Sequence, residues 1–119
     1  MVEILEMAGF KAEYARDGKE AVIDFIKNPV GYYDLILMDV ELEVIDGVEA
    51  AKCIKLSGKD DAESVPIFAV TAHFKADEPK LSATNYFTGV LSKPVDFKFF
   101  YRKANEALKT KTEYVVSEY

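Results

Sequence analysis

The sequence predicts an α/β fold, a parallel sheet covered on both faces by helices, and three observations carry that prediction. Two apolar runs, DLILMD at 34–39 and PIFAVT at 66–71, are continuous rather than alternating, as strands buried on both faces are. Segments with helical spacing separate them, so strands and helices alternate along the chain. Three predicted strands end in residues with chemistry, namely Asp39, Thr71 and Lys93. In sheets of this kind a ligand site lies beyond the carboxyl ends of the strands.

Taken in order, residues 1–8 read as the end of a helix, with Gly9 as its C-terminal stop. A short strand follows at residues 11–15. In RDGKEAVIDFIKNP, Asp17 and Glu20 have capping-box spacing, Ala21/Phe25 and Val22/Ile26 repeat at helical spacing, and Pro29 ends the run. After the strand at 34–39, a helix begins near Gly47 with Val48, Ala51 and Ile54 on one side. Residues 57–64 read as a polar loop, and the acidic run at 60–63 as a solvated part of it. A weak helix interrupted by Pro79 is expected at residues 78–84, and a short strand at GVLS, 89–92. Phe97, Phe100, Tyr101, Ala104, Ala107 and Leu108 mark a strongly amphipathic last helix. The tail, 110–119, carries one more apolar patch at 114–116.

Bulk properties narrow the function. A length of 119 residues suits one domain. The net charge of −6 argues against broad nucleic-acid binding, because phosphates would be repelled. The lone Cys53 can form no internal disulfide, which suits a reducing, cytoplasmic setting. No apolar run has the length of a membrane span. The first ten residues carry Glu3 and Glu6 and no basic region, unlike a signal peptide.

Asp39, Thr71 and Lys93 together suit phosphoryl transfer. A carboxylate can be a covalent nucleophile, a lysine brings a compact positive charge to phosphate oxygens, and a threonine hydroxyl can donate to one of them. Such transfer asks little of the protein beyond positioning and charge stabilisation, commonly with Mg²⁺. Here the stretches ARDGKEAV, YDLILMDVELEVIDG, VPIFAVTAH and VLSKPV, in this order and each at a strand end, resemble the response-regulator receiver family of two-component signalling. The resemblance runs from Met1 to about Leu108. It implies a flavodoxin-like three-layer αβα sandwich, with Asp39 as phosphoacceptor, Thr71 as switch hydroxyl and Lys93 as the phosphate-contacting lysine. By the same resemblance, Lys93–Pro94 stands at a bond that is often cis, and Glu41 stands where the family uses a backbone carbonyl as a metal ligand. The implied partners are a histidine kinase or histidine phosphotransfer protein and a downstream protein, with no direct nucleic-acid or membrane contact. The implied role is signalling rather than enzymatic turnover, apart from slow self-dephosphorylation.

The departures from the family pattern matter. Glu43 replaces a proline four residues after the phosphoacceptor, and Val90 replaces an aromatic switch residue three before the lysine. The usual coupling of an aromatic ring to the threonine thus lacks its ring, since Tyr86 and Phe87 are near that position but not at it. The family's first strand, which ends in two Mg²⁺-holding acids, has no counterpart before Gly9. Its absence would expose two unpaired strand edges. Residues 1–109 are accordingly assigned to the receiver and 110–119 to a tail that can replace the strand. Tyr114-Val115-Val116-Ser117-Glu118 is an apolar run ending in a polar–acidic pair, and a crossover from the last helix into the slot would be right-handed. Glu118 would then be a substitute metal ligand. A partner's tail in the slot would instead make a swapped homodimer.

Two other functions compete. Without the acid pair, Mg²⁺ binding should weaken, which suits a receiver-like interaction module that takes no phosphate. A phosphohydrolase of the haloacid dehalogenase type also uses an aspartate nucleophile after an apolar strand, and Asp39-Val40-Glu41 loosely imitates its acid pair, but the chain is short for a core plus cap. Asp46 and Gly47 read as an N-terminal acid and a flexible turn. Cys53 reads as a packed or half-packed residue, His73 as a surface residue, and Phe97–Tyr101 as core or interface.

Overall fold

A computed structural model of the chain describes residues 2–7, 9–40, 46–107 and 114–118, with residues 2–4 and 114–118 described by their backbone alone. The elements are α1 (Val2–Met7), β1 (Phe10–Tyr14), α2 (Gly18–Lys27), β2 (Leu35–Asp39), α3 (Gly47–Lys55), β3 (Ile67–Thr71), α4 (Phe74–Ala83), β4 (Gly89–Ser92), α5 (Phe97–Ala107) and β5 (Tyr114–Glu118). The five strands form one sheet in the order β1-β5-β2-β3-β4, and every described pairing is parallel. The tail strand therefore fills the slot between β1 and β2. Phe10 pairs with Tyr114 and Tyr14 with Glu118 on one side, and Leu35 with Val116 and Leu37 with Glu118 on the other.

The central strands are apolar throughout because both faces are covered. On β2, Ile36 and Met38 join a core with Phe25, Ala51, Ile54 and Ile67, while Leu35 and Leu37 join a second core with Leu5, Phe68, Phe100 and Ala104. Successive side chains point to opposite faces, so one five-residue strand serves both layers. Phe100 anchors α5, with ring centroids 5.8 Å from Phe10 and 6.3 Å from Phe68. Tyr101 and Phe99 remain exposed. Leu108, expected on this helix, lies outside the described residues. Tyr86 and Phe87 pack against the first core. Among the described residues no helix is long and apolar enough to cross a membrane.

Local chemistry sets the helix ends. Gly9, at φ +95°, takes the left-handed turn that closes α1, and its N–H donates to the Glu6 carbonyl at 3.0 Å. Asp17 caps α2 by accepting from the Glu20 N–H at 2.8 Å, while Glu20 accepts from the Arg16 N–H at 3.2 Å. Asp46 caps α3 in the same way, through the Glu49 N–H at 2.8 Å.

Three expectations need correction. The fourth helix begins at Phe74 and runs through Pro79, not from residue 78. Pro79 lacks the N–H that would reach the Lys75 carbonyl, but Asp77 before it binds Thr71 and Leu81 after it is buried. The segment 57–64 is a loop as expected, but its acidic run at 60–63 is not simply solvated, since Ala62 is buried. Lys59 Nζ donates to the carbonyls of Phe25 and Asn28, both at 2.6 Å, and sits 4.4 Å from the Phe25 ring centroid, closing the C-terminal end of α2. In the same segment, Asp61 accepts from the Gly31 N–H at 2.8 Å. Gly47 is not a flexible turn. A Cβ there would stand 2.7 Å from Val40 Cα and would also overlap the Asp39 carbonyl, so glycine lets α3 start against the end of β2.

Candidate functional site

Three parallel strands deliver the three expected side chains to one end of the sheet. Asp39 is the last residue of β2 and pairs with Val70. One residue on, Thr71 ends β3 and pairs with Ser92. Lys93 follows β4 directly, and its N–H donates to the Thr71 carbonyl at 2.8 Å. The Lys93–Pro94 bond is cis. Backbone pairing alone thus fixes the relative positions of all three residues.

Asp39 and Lys93 meet. Lys93 Nζ lies 2.6 Å from Asp39 Oδ2, and both side chains are partly exposed. A carboxylate that solvent can reach, with an ammonium on one oxygen, is suited to accept a group whose own oxygens need a cation. Thr71 is different. It is fully buried, and its hydroxyl donates to Asp77 Oδ2 at 2.6 Å while accepting from the His73 N–H at 3.0 Å. The hydroxyl is engaged by α4, an arrangement that the residue types at strand ends did not reveal. Asp77 lay outside the helix expected from the sequence, so nothing marked it as a partner. Its position four residues after His73, whose carbonyl receives the Asp77 N–H at 2.9 Å, is the signal that would have found it.

The metal ligands are less complete. Among the described residues no group of three His, Cys, Asp or Glu side chains could hold a metal ion. Glu41 lies outside the described residues. The backbone of Glu118 stands level with Leu37, two residues short of Asp39, a rise of about 6.6 Å along the strand. The described side chains therefore supply one carboxylate and do not by themselves make a magnesium site. His73 is exposed and precedes α4 without a side-chain capping bond, and Cys53 is a half-buried free thiol.

A parallel sheet with helices on both faces and an acid–lysine pair at its carboxyl end is an architecture of the flavodoxin-like class with a site suited to phosphate. The family model for the response regulator receiver domain matches residues 1–105, and the chain belongs to that family. It is 35% identical over 106 residues to hybrid signal transduction histidine kinase I of Dictyostelium discoideum, covering 86% of this chain but only 6% of that protein. It is also 33% identical over 101 residues to the polar-differentiation response regulator DivK of Brucella ovis, covering 82% of this chain and 76% of DivK. Among solved structures, it resembles the receiver domain of the sensor histidine kinase PA1611 from Pseudomonas aeruginosa, whose active-site cleft coordinates a magnesium ion. The TM-score is 0.77 at 26% identity, over 91% of this chain and 84% of that one. The chemotaxis protein CheY4 of Vibrio cholerae gives a TM-score of 0.76 at 25% identity, over 90% and 85%. The chain is thus a receiver domain of two-component signalling.

Proposed function

We propose that Asp39 accepts a phosphoryl group from a phosphohistidine of a partner histidine kinase or histidine phosphotransfer protein. An Asp39 carboxylate oxygen attacks phosphorus, the donor's P–N bond breaks, and the ring nitrogen keeps the electron pair. The product is an acyl phosphate carrying roughly −1.5 to −2 charge at pH 7, by analogy with other phosphorylated side chains. Lys93 neutralises its oxygens and Thr71 donates to one of them. The single observation that carries this reading is the 2.6 Å pairing of Lys93 with a partly exposed Asp39 at the strand ends.

Residues 1–109 form the receiver body in this reading and 110–119 supply the replacement strand. Mg²⁺ would bind through Asp39, the Glu41 backbone carbonyl and Glu118, supplying charge neutralisation for the incoming phosphate, and weakly because that set is thin. The domain acts in the cytoplasm as a signalling element, turning over only by slow self-dephosphorylation, and hands its signal to a downstream protein. The thin metal set favours one alternative, a receiver-like interaction module that takes no phosphate.

The test is intact mass after incubation of the full chain with acetyl phosphate, with and without Mg²⁺. A phosphoryl adduct that Mg²⁺ promotes and Asp39→Asn abolishes is the expected result. Glu118→Gln should then raise the Mg²⁺ concentration needed. No adduct from demonstrably folded protein would overturn the phosphoacceptor reading in favour of the interaction module.

A further inference from the structure

Resting on the receiver reading, we propose that Asp77 is a positioning residue for the switch: it holds the Thr71 hydroxyl on α4 until a phosphoryl group on Asp39 competes for it. The Thr71 hydroxyl can donate one hydrogen, and here that hydrogen goes to Asp77 at 2.6 Å. To donate to a phosphoryl oxygen on Asp39, the hydroxyl must leave Asp77. A part-buried bond to a carboxylate is stronger than one between neutral groups, so it sets a threshold for that exchange.

The bond also holds a helix that little else secures. Leu81 is the buried residue of α4, Pro79 removes one internal hydrogen bond, and His73 gives no side-chain cap. The first turn of α4 is instead built on Thr71, which receives the His73 N–H and binds Asp77, while Asp77 returns its own N–H to the His73 carbonyl. Withdrawing the hydroxyl from Asp77 therefore loosens α4. With Val90 where an aromatic ring would report the movement of Thr71, α4 itself becomes the reporting element.

Two measurements test this. The first is the rate of phosphorylation by acetyl phosphate. Asp77→Ala should raise it about tenfold, and Asp77→Asn, which keeps an acceptor oxygen but loses the charge, should fall between. In a Thr71→Ala background neither substitution should change the rate. A merely structural Asp77 would slow the reaction when removed, and simple relief of negative charge would make Asn and Ala equal and persist without Thr71. Any of these outcomes overturns the proposal. The second measurement is amide hydrogen exchange of unphosphorylated protein at Glu78 and residues 80–83. Asp77→Ala should speed it about tenfold, Thr71→Val, which also loses the bond from the His73 N–H, at least as much, and the double variant no more than Thr71→Val. Unchanged exchange in both variants overturns the proposal. Because this second measurement needs no phosphate, failure of the wild-type chain to form any adduct would count against the phosphoacceptor reading, while exchange would still decide the role of Asp77.

Discussion

Helices α3 and α4 both begin just beyond the strand ends that form the site, yet they are held by opposite means. Four residues of α3 are buried, namely Gly47, Ala50, Ala51 and Ile54, and the Asp46 side chain caps it. By contrast α4 buries Leu81 alone, lacks a side-chain cap and contains a proline. The first helix is fixed by apolar packing, which has no switch in it. The second is fixed by one buried side chain, Leu81, and by one polar side chain, Thr71, whose partner can change. Local stability differs across a small domain in this way, and moving elements come from its weaker end.

The comparison can be broken by substitution, beginning with the largest effect. Ile54→Ala should cost about 2–5 kcal/mol of global stability in urea unfolding, because it empties packed core. Leu81→Ala removes a similar side chain but should cost the global transition less, with exchange in α4 rising instead, because that helix can open alone. Equal global losses would show that α4 is as integral as α3. Next, Gly47→Ala should cost about 1–3 kcal/mol and reduce adduct formation, since the added Cβ meets backbone of Asp39 and Val40 rather than a side chain that can turn aside. The caps give smaller effects: Asp46→Ala should lower stability by about 1 kcal/mol, whereas His73→Ala should stay within about 0.5 kcal/mol.

The smallest effect appears only in alkali. Tyr33 is buried and donates to Glu13 Oε1 at 2.9 Å, and Tyr32 donates to the other oxygen of the same carboxylate. Burial, and then the bond to Glu13, push the Tyr33 phenol above its ordinary value of about 10. A raised folded pKa contributes stability that is complete below pH of about 10 and declines as pH rises beyond it. Denaturation midpoints of the wild type should therefore fall above about pH 10, and Tyr33→Phe should flatten that fall while being less stable at neutral pH.

Much of this was legible because it is periodic or local. The runs 34–39 and 66–71 announced strands buried twice over, and the Asp17–Glu20 spacing announced the start of α2. The tail strand was readable from a missing neighbour: a slot between two predicted strands, and an apolar run at 114–116 able to fill it. What escaped depends on partners far away in sequence. The start of α4 rests on Thr71 accepting the His73 N–H, which no helical periodicity in FKADEPK suggests. The reach of Lys59 to the end of α2 and the contact of Gly47 with β2 follow from packing alone. The register of Glu118 likewise follows from strand pairing, which sequence composition does not set.

The central claim, that Asp39 carries the phosphoryl group, is tested most directly by trapping the adduct. After reaction with acetyl phosphate and Mg²⁺, borohydride reduction of an acyl phosphate converts the aspartate to homoserine, which peptide sequencing by mass spectrometry locates. Homoserine at position 39, absent when donor is omitted, is the predicted result. Homoserine at another acid, or unmodified aspartate at 39 in a protein that had gained phosphate, would contradict it.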